Sequence, residues 1–427
     1  MTMKVLRGKL LVGQSGGPTA VINSSLCGVI QEALGQRAIE GIYGARHGVV
    51  GILNEDLADL SQEDPAEVDL LRSTPGAALG SCRYKLAPED TPEGKAHRQR
   101  LLDVLAAQEV RYLLYAGGND SMDTLNKILA CAARQGYELR GIGVPKTVDN
   151  DLPGTDHCPG YGSVAKHLAA IAMGVGLDMQ AMRLSDPVVV MEVQGRFSGW
   201  MTAATALARR REGDAPHLLY LPEIPWNRGR FLEEVRGCHA RYGCCFISAA
   251  TALKDEQGQP LGAPTGPFAR DAFGHLQLGG VGSLLSDLIK QELELKARLV
   301  RLGPAERIAM HFGSLTDRDE AFALGEFAVR SALAGESGKM AGLERVSDSP
   351  YRCDPTLVGL DVVANAEKLL PREWINDAGN DVTEDFLRYA RPLIQGEVPT
   401  PIEGGLPRYA RLRGVSVPKK LPPWGHD

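Results

Sequence analysis

The chain is poor in the features that mark several common protein classes. Its eight cysteines (27, 82, 131, 158, 238, 244, 245 and 353) form no CxxC pair and no metal-ligand rhythm. That excludes a zinc ribbon or a disulfide framework. The adjacent Cys244 and Cys245 lie in the apolar run CCFISAATAL and read as buried structural thiols, so a reducing compartment is expected. No window approaches the roughly 18 apolar residues of a membrane span. The N-terminal MTMKVLRGKLLVG holds only a four-residue apolar stretch, too short for a signal peptide. Lysines and arginines are scattered singly and the net charge is −6, which argues against nucleic acid or an anionic membrane as partner. No internal repeat of 20–50 residues appears. A cytoplasmic protein acting on small molecules is the expectation.

What is present is strand and helix in alternation. At 427 residues and 44% hydrophobic, the chain can build two α/β domains. KLLVG (9–13), VRYLLYAGG (110–118) and LRGIGVPK (139–146) are continuous apolar runs ending in glycine-rich or polar turns. Such runs indicate buried parallel strands in βαβ units. A second series follows: a helix-like stretch (163–183), the strand PVVVMEV (187–193), a helix from about Ser198, and strands at HLLYLPEI (217–224) and CCFISAA. The predicted fold is therefore α/β, with two Rossmann-like lobes of mainly parallel sheet flanked by helices and a ligand cleft between them. Residues 1–160, completed by about 306–335, form the first lobe and 161–305 the second. Residues 336–427 read as a C-terminal extension packed on both.

Chemistry concentrates in the turns after these strands. Gly16-Gly17, Gly117-Gly118 and the segment Gly76 to Ser81 let backbone N–H groups approach an anion, and a following helix N-terminus adds positive charge. Arg83 and Lys85 beside the third turn favour phosphate. Neither GxxxxGK[ST] nor GxGxxG occurs at these strand ends, so a standard nucleotide site is unsupported. The densest constellation is Pro145-Lys146-Thr147-Val148-Asp149-Asn150-Asp151. One aspartate there can take a proton from an attacking hydroxyl while the other organises Mg²⁺, and Lys146 offers a point charge to phosphate. Glu192-Val193-Gln194-Gly195-Arg196 and Pro222-Glu223 end two further strands and add an arginine fork and a carboxylate for sugar hydroxyls.

These segments resemble the phosphofructokinase family, and more closely its diphosphate-dependent bacterial branch. GQSGGPTAVIN (13–23), GSCRYK (80–85), YAGGNDS (115–121), GVPKTVDNDLPGTD (143–156), EVQGRFSGW (192–200) and LPE (221–223) stand in the family's order, and RLVRLGPAERIAMHFGSLTDRDEA (298–321) continues it. The resemblance implies Asp149 as general base for the sugar C1 hydroxyl, with Lys146, Asp120, Arg196 and Asp151 supporting the transfer. It implies a diphosphate site at Gly16, Gly17, Arg83, Gly118, Asp120, Ser121 and Lys146. Sugar phosphate would be held by Thr147, Val148, Asp149, Gln194, Gly195, Arg196, Glu223, Pro304 and Arg307, with Arg298 reaching in from a neighbouring subunit of a homodimer or homotetramer. Mg²⁺ would be served by Asp151, with Asn119 at the position of a metal-serving aspartate. ATP-using relatives have glycine at the positions of Asp120 and Lys146, which here crowd a nucleotide and suit a compact anionic donor. The implied activity is reversible phosphoryl transfer from diphosphate to fructose 6-phosphate.

Departures cluster on the sugar side: Gln194 for methionine, Pro187 for arginine, Pro304 for histidine or tyrosine, and Glu306 for glutamine. They leave open sedoheptulose 7-phosphate as acceptor, or a catalytically weak paralogue that binds sugar phosphates.

Overall fold

The computed structural model describes residues 6–262 and 279–425. Eleven strands make up its two main sheets. β1 (Gly8–Gln14), β2 (Ile39–Ala45), β3 (Leu57–Asp59), β4 (Val110–Gly117) and β5 (Arg140–Pro145) belong to the first lobe. β6 (Val188–Val193), β7 (Leu218–Tyr220), β8 (Cys245–Ala250) and β9 (Ala297–Arg301) form the second, all parallel, in the order β7-β8-β6-β9. β10 (Lys339–Asp348) and β11 (Tyr351–Gly359) return to the first, giving the seven-stranded order β11-β10-β5-β4-β1-β2-β3. In that sheet only the two edges run antiparallel, β3 on β2 and β11 on β10.

The apolar runs explain the parallel centre. Every residue of β6 is buried, and so is all of β4 except Arg111, because helices cover both faces. The helices Ile22–Leu34 and Leu315–Leu333 cross at glycines. A Cβ on Gly28 would meet the Phe322 carbonyl oxygen at 2.2 Å, and one on Gly325 would meet that of Ser25 at 2.1 Å. Hydrogen atoms alone allow this approach.

The segment after 336, expected as an extension on both lobes, is in part a correction: residues 339–359 are strands of the first sheet. β10 pairs with β5, whose carboxyl end carries the acidic turn, so the sheet would otherwise stop at that strand. The remainder does pack on both lobes. Leu370, Ile375, Phe386, Tyr389 and Leu393 enter the second lobe's core, and Val417 enters the first's. Strand HLLYLPEI is shorter than expected, spanning Leu218–Tyr220.

The lobes are joined at the start of the helix Tyr161–Ala181. Asp317 accepts hydrogen bonds from the Gly160 and Ser163 amides, each at 2.8 Å, and caps that helix from the first lobe's side. Burial raises the Asp317 carboxyl to about 6.

Candidate active site

A cavity of about 710 Å³ opens where the carboxyl ends of β1, β4, β5 and β6 converge. It brings together Gly16, Gly17, Arg83, Gly118, Asn119, Asp120, Ser121, Lys146, Thr147, Val148, Asp149, Asp151, Gln194, Gly195, Arg196 and Arg307. Lys85 is exposed and lies outside it.

One side is built from turns of the first sheet. Gly16 has φ +78°, and a Cβ there would meet Lys146 Nζ at 2.9 Å. A Cβ on Gly17 would meet Arg307 Nη1 at 2.8 Å. Glycine therefore lets two cations lie against this turn. The third turn is tied to the first: Leu79 N donates to Gln14 Oε1 at 3.0 Å and Ser81 Oγ to the Gly16 carbonyl at 2.5 Å. At the second turn the helix Asn119–Arg134 starts, placing Asp120 in its first turn beside the cavity. The Asn119 side-chain amide donates to the Ala366 carbonyl.

The acidic turn follows β5. Asp149 N donates to Thr147 Oγ1 at 3.1 Å, and Ser198 Oγ donates to the Asp149 carbonyl at 3.2 Å. Asn150 takes a left-handed φ of 55°. Its side chain donates to Tyr389 Oη at 2.9 Å and accepts from Cys158 N at 2.9 Å, which fixes the turn from both ends. Burial pushes the Asp149 carboxyl up, against the opposing pull of Arg196, Lys146, Arg307 and Arg83. Burial and then the Asp149 charge raise Asp151. Lys146 is pushed down to about 8, by burial first and then by Arg307. Its ammonium donates to the Gly17 carbonyl at 2.9 Å.

The opposite wall carries an ion pair that the sequence did not announce. Arg301 Nε meets Glu192 Oε1 at 2.7 Å and its Nη2 donates to Glu192 Oε2 at 3.0 Å. The Gly282 amide also donates to Glu192 Oε2, at 2.6 Å. Next to it Glu306 is buried, with Oε2 accepting from Gln194 N at 3.0 Å and Oε1 left without a hydrogen bond. Burial raises this carboxyl to about 8, and the Glu192 and Asp149 charges add to the rise. Both effects favour the uncharged form of Glu306.

Two expected sugar-side residues, Glu223 and Pro304, do not line the cavity, and Arg298, expected at a neighbouring subunit's site, does not line this one. Glu223 Oε1 turns back on the backbone, accepting from Gly199 N at 2.8 Å and Leu370 N at 3.1 Å, while Oε2 is buried without a hydrogen-bond partner. Arg298 pairs with Asp178 at 2.7 Å; strand alternation sends it to the face of β9 opposite Arg301, which reaches the cavity. Pro304 is exposed, and its neighbour Gly303 takes the place at the wall. Arg307 does line the cavity, but against Gly17 and near Arg83. Arg301, Asn365 and Glu367 are lining residues missed in the sequence. An arginine spaced three residues from Arg298 on a strand was the available signal for the first; nothing marked the other two.

The site also suits a divalent cation. Asp151 Oδ1 is buried without a hydrogen-bond partner, and Asp120, Asp149 and Glu367 line the same cavity. Hard oxygen donors of this kind fit such an ion.

Comparisons with known proteins agree with this geometry. Residues 9–331 match the family described as Phosphofructokinase. The pyrophosphate–fructose 6-phosphate 1-phosphotransferase of Halomonas elongata is 44% identical over 96% of this chain and 97% of its own length. The protein of the same name from Xanthomonas campestris is 44% identical over 98% of this chain and 99% of its own. The crystal structure of a pyrophosphate-dependent phosphofructokinase from Marinobacter aquaeolei superposes with a TM-score of 0.87 at 40% identity, covering 97% of this chain and 99% of that one. With its turns, acidic loop and two-lobed cleft in place, the chain belongs to the phosphofructokinase family.

Proposed function

We propose that this enzyme transfers a phosphoryl group reversibly from diphosphate to the C1 hydroxyl of fructose 6-phosphate. The observation that carries the donor half is Lys146, a buried ammonium seated on the Gly17 carbonyl at 2.9 Å beside Arg307, with Asp120 on the adjoining turn. Two cations and a carboxylate at one phosphate position favour a compact, strongly anionic donor over a nucleotide. The names of the full-length relatives support the same donor and acceptor.

In this reading Asp149 accepts the proton from the sugar hydroxyl, whose oxygen attacks the nearer phosphorus as the bridging P–O bond breaks and phosphate leaves. Burial raises the Asp149 carboxyl, and the cations around it, Arg196 first, oppose that rise and favour the ionised form the task requires. Lys146, Arg83, Arg307 and the amides of the glycine turns face the phosphate oxygens, so electrostatic stabilisation supplies most of the rate. The divalent cation that the family generally uses is taken as Mg²⁺; Asp151 would hold it, and it would neutralise charge on the donor phosphates. Gln194, Gly195, Arg196 and Glu306 would contact the acceptor.

Assembly as a homodimer or homotetramer is part of the proposal, supported by Leu177, Leu184 and Leu299 standing exposed near Arg298. Eight free thiols fit a reducing cytoplasm. The deciding experiment is a coupled assay of purified protein with Mg²⁺, varying donor and acceptor. Turnover with ATP and none with diphosphate would overturn the donor assignment; preference for sedoheptulose 7-phosphate would overturn the acceptor.

A further inference from the structure

The segment 365–368, well beyond the part of the chain that matches the family, is built into the active site. Three parts of the cavity wall hold it. The Asn119 side-chain amide donates to the Ala366 carbonyl, and Asn365 Nδ2 donates to Asp123 Oδ1 at 3.3 Å on the same helix. Lys368 N donates to the Asp151 carbonyl at 2.7 Å, while its buried ammonium donates to the Thr155 and Asp156 carbonyls at 3.1 and 2.8 Å. From the second lobe Trp200 Nε1 donates to the Lys368 carbonyl at 2.9 Å.

Glu367 is fastened between these anchors and lines the cavity. Among the described residues, no side chain hydrogen-bonds or ion-pairs with its carboxylate. The charged groups around it are Lys254, Arg196, Asp120 and Asp149. Facing the same cavity is Asp151, 7% exposed, with Oδ1 lacking any hydrogen-bond partner. An exposed carboxylate held at a rim and a buried unpartnered one in the same cavity leave two oxygen donors facing one space.

We infer that Glu367 is a ligand-facing residue that helps hold the divalent cation of the donor complex, directly or through its water shell, together with Asp151. This rests on the phosphoryl-transfer reading. The backbone contact from Lys368 to Asp151 joins the acidic turn and the segment carrying Glu367 into one hydrogen-bonded unit. The neutral Asn119 amide spends its donor on positioning that unit, and Glu367 brings a negative charge to the same end of the cavity. Loose, water-mediated ligation is the usual habit of Mg²⁺, so a rim carboxylate suffices.

The test is Mn²⁺ binding to the full-length protein with imidodiphosphate, followed by electron paramagnetic resonance of free Mn²⁺, in wild type, Glu367→Gln and Glu367→Asp. Glu367→Gln is expected to weaken Mn²⁺ binding about tenfold, with Glu367→Asp closer to wild type and fructose 6-phosphate binding unchanged. Unchanged Mn²⁺ affinity in Glu367→Gln overturns the assignment while leaving the reaction intact. Absence of Mn²⁺ binding in wild type with the analogue overturns the assignment together with the reading beneath it. A matching rise in the Mg²⁺ concentration for half-maximal activity, with the KM for sugar unmoved, separates this role from a structural one.

Discussion

The Lys146 ammonium lies 2.9 Å from the Gly17 carbonyl oxygen, joining the turn after β5 to the turn after β1. The lysine is buried, and a Cβ at Gly16 would press on its nitrogen at 2.9 Å. A positive charge is thus fixed at a phosphate turn by backbone atoms alone.

Reverting both donor-side residues, Asp120→Gly with Lys146→Gly, is expected to lower kcat/KM for diphosphate by at least about a hundredfold and to bring measurable ATP use. Steady-state kinetics with each donor reads this. Loss of diphosphate turnover without any gain with ATP means that the two side chains only bind diphosphate and do not exclude the nucleotide.

Lys146 also sacrifices stability. Its folded-state value, about 8, lies below the ordinary 10.5, so the folded chain gives up this proton more readily than the unfolded chain. At neutral pH the charged form opposes folding by roughly 3 kcal/mol, partly offset by the Gly17 hydrogen bond. Lys146→Met is expected to raise the urea midpoint at pH 7. The difference should shrink between about pH 8 and 10.5, where the wild-type lysine also becomes neutral.

Glu306 gives the mirror case. Its carboxyl is held up near 8 by burial, so its favourable contribution is full below about 4.5 and fades as pH rises through 8. Glu306→Gln keeps the shape and cannot ionise. Denaturation curves of variant and wild type should coincide near pH 5 and separate by a few kcal/mol at pH 9, the variant being more stable. Its KM for the sugar phosphate should change more than its KM for diphosphate.

Asp149→Ala is expected to cut kcat by a factor of about 10²–10⁴ while calorimetry still records fructose 6-phosphate binding. Wild-type and variant proteins equally inert would favour the sugar-phosphate-binding paralogue.

Gly28→Ala tests the helix crossing. The new methyl would stand 2.2 Å from the Phe322 carbonyl oxygen, so the two helices must part, at a cost of about 1–3 kcal/mol. A lowered Tm with an unchanged KM for diphosphate is the expected pair of results.

Much of this architecture could be read in the residues because buried parallel strands are continuous apolar runs. VRYLLYAG and VVVMEV stand almost where the runs placed them. The glycine turns and the acid-rich loop could be located as well, since they stand at the strand ends, and the structure brings them to one cavity. Residues set by long-range packing escaped. Glu223 was read as a sugar ligand, and what the residues did not show is that amides at Gly199 and Leu370, the latter far along the chain, occupy its Oε1. Arg301 stands three residues from Arg298 and so on the other face of β9, but which face turns to the cavity is set by packing that the residues do not display. Glu367 sits in a segment without periodicity, and only its backbone contacts bring it to the cavity.

The pairing of β10 with β5 has a consequence for the order in which the protein can be made. Until residues 339–340 leave the ribosome, β5 is an open edge of an otherwise assembled sheet, and the whole second lobe is synthesised in that interval. At about 5–20 residues per second the exposed edge persists for roughly ten seconds or more. A nascent chain arrested before β10 should therefore be the species most prone to self-association, and the acidic turn at the end of β5 would acquire its final setting only when the last strands close the sheet.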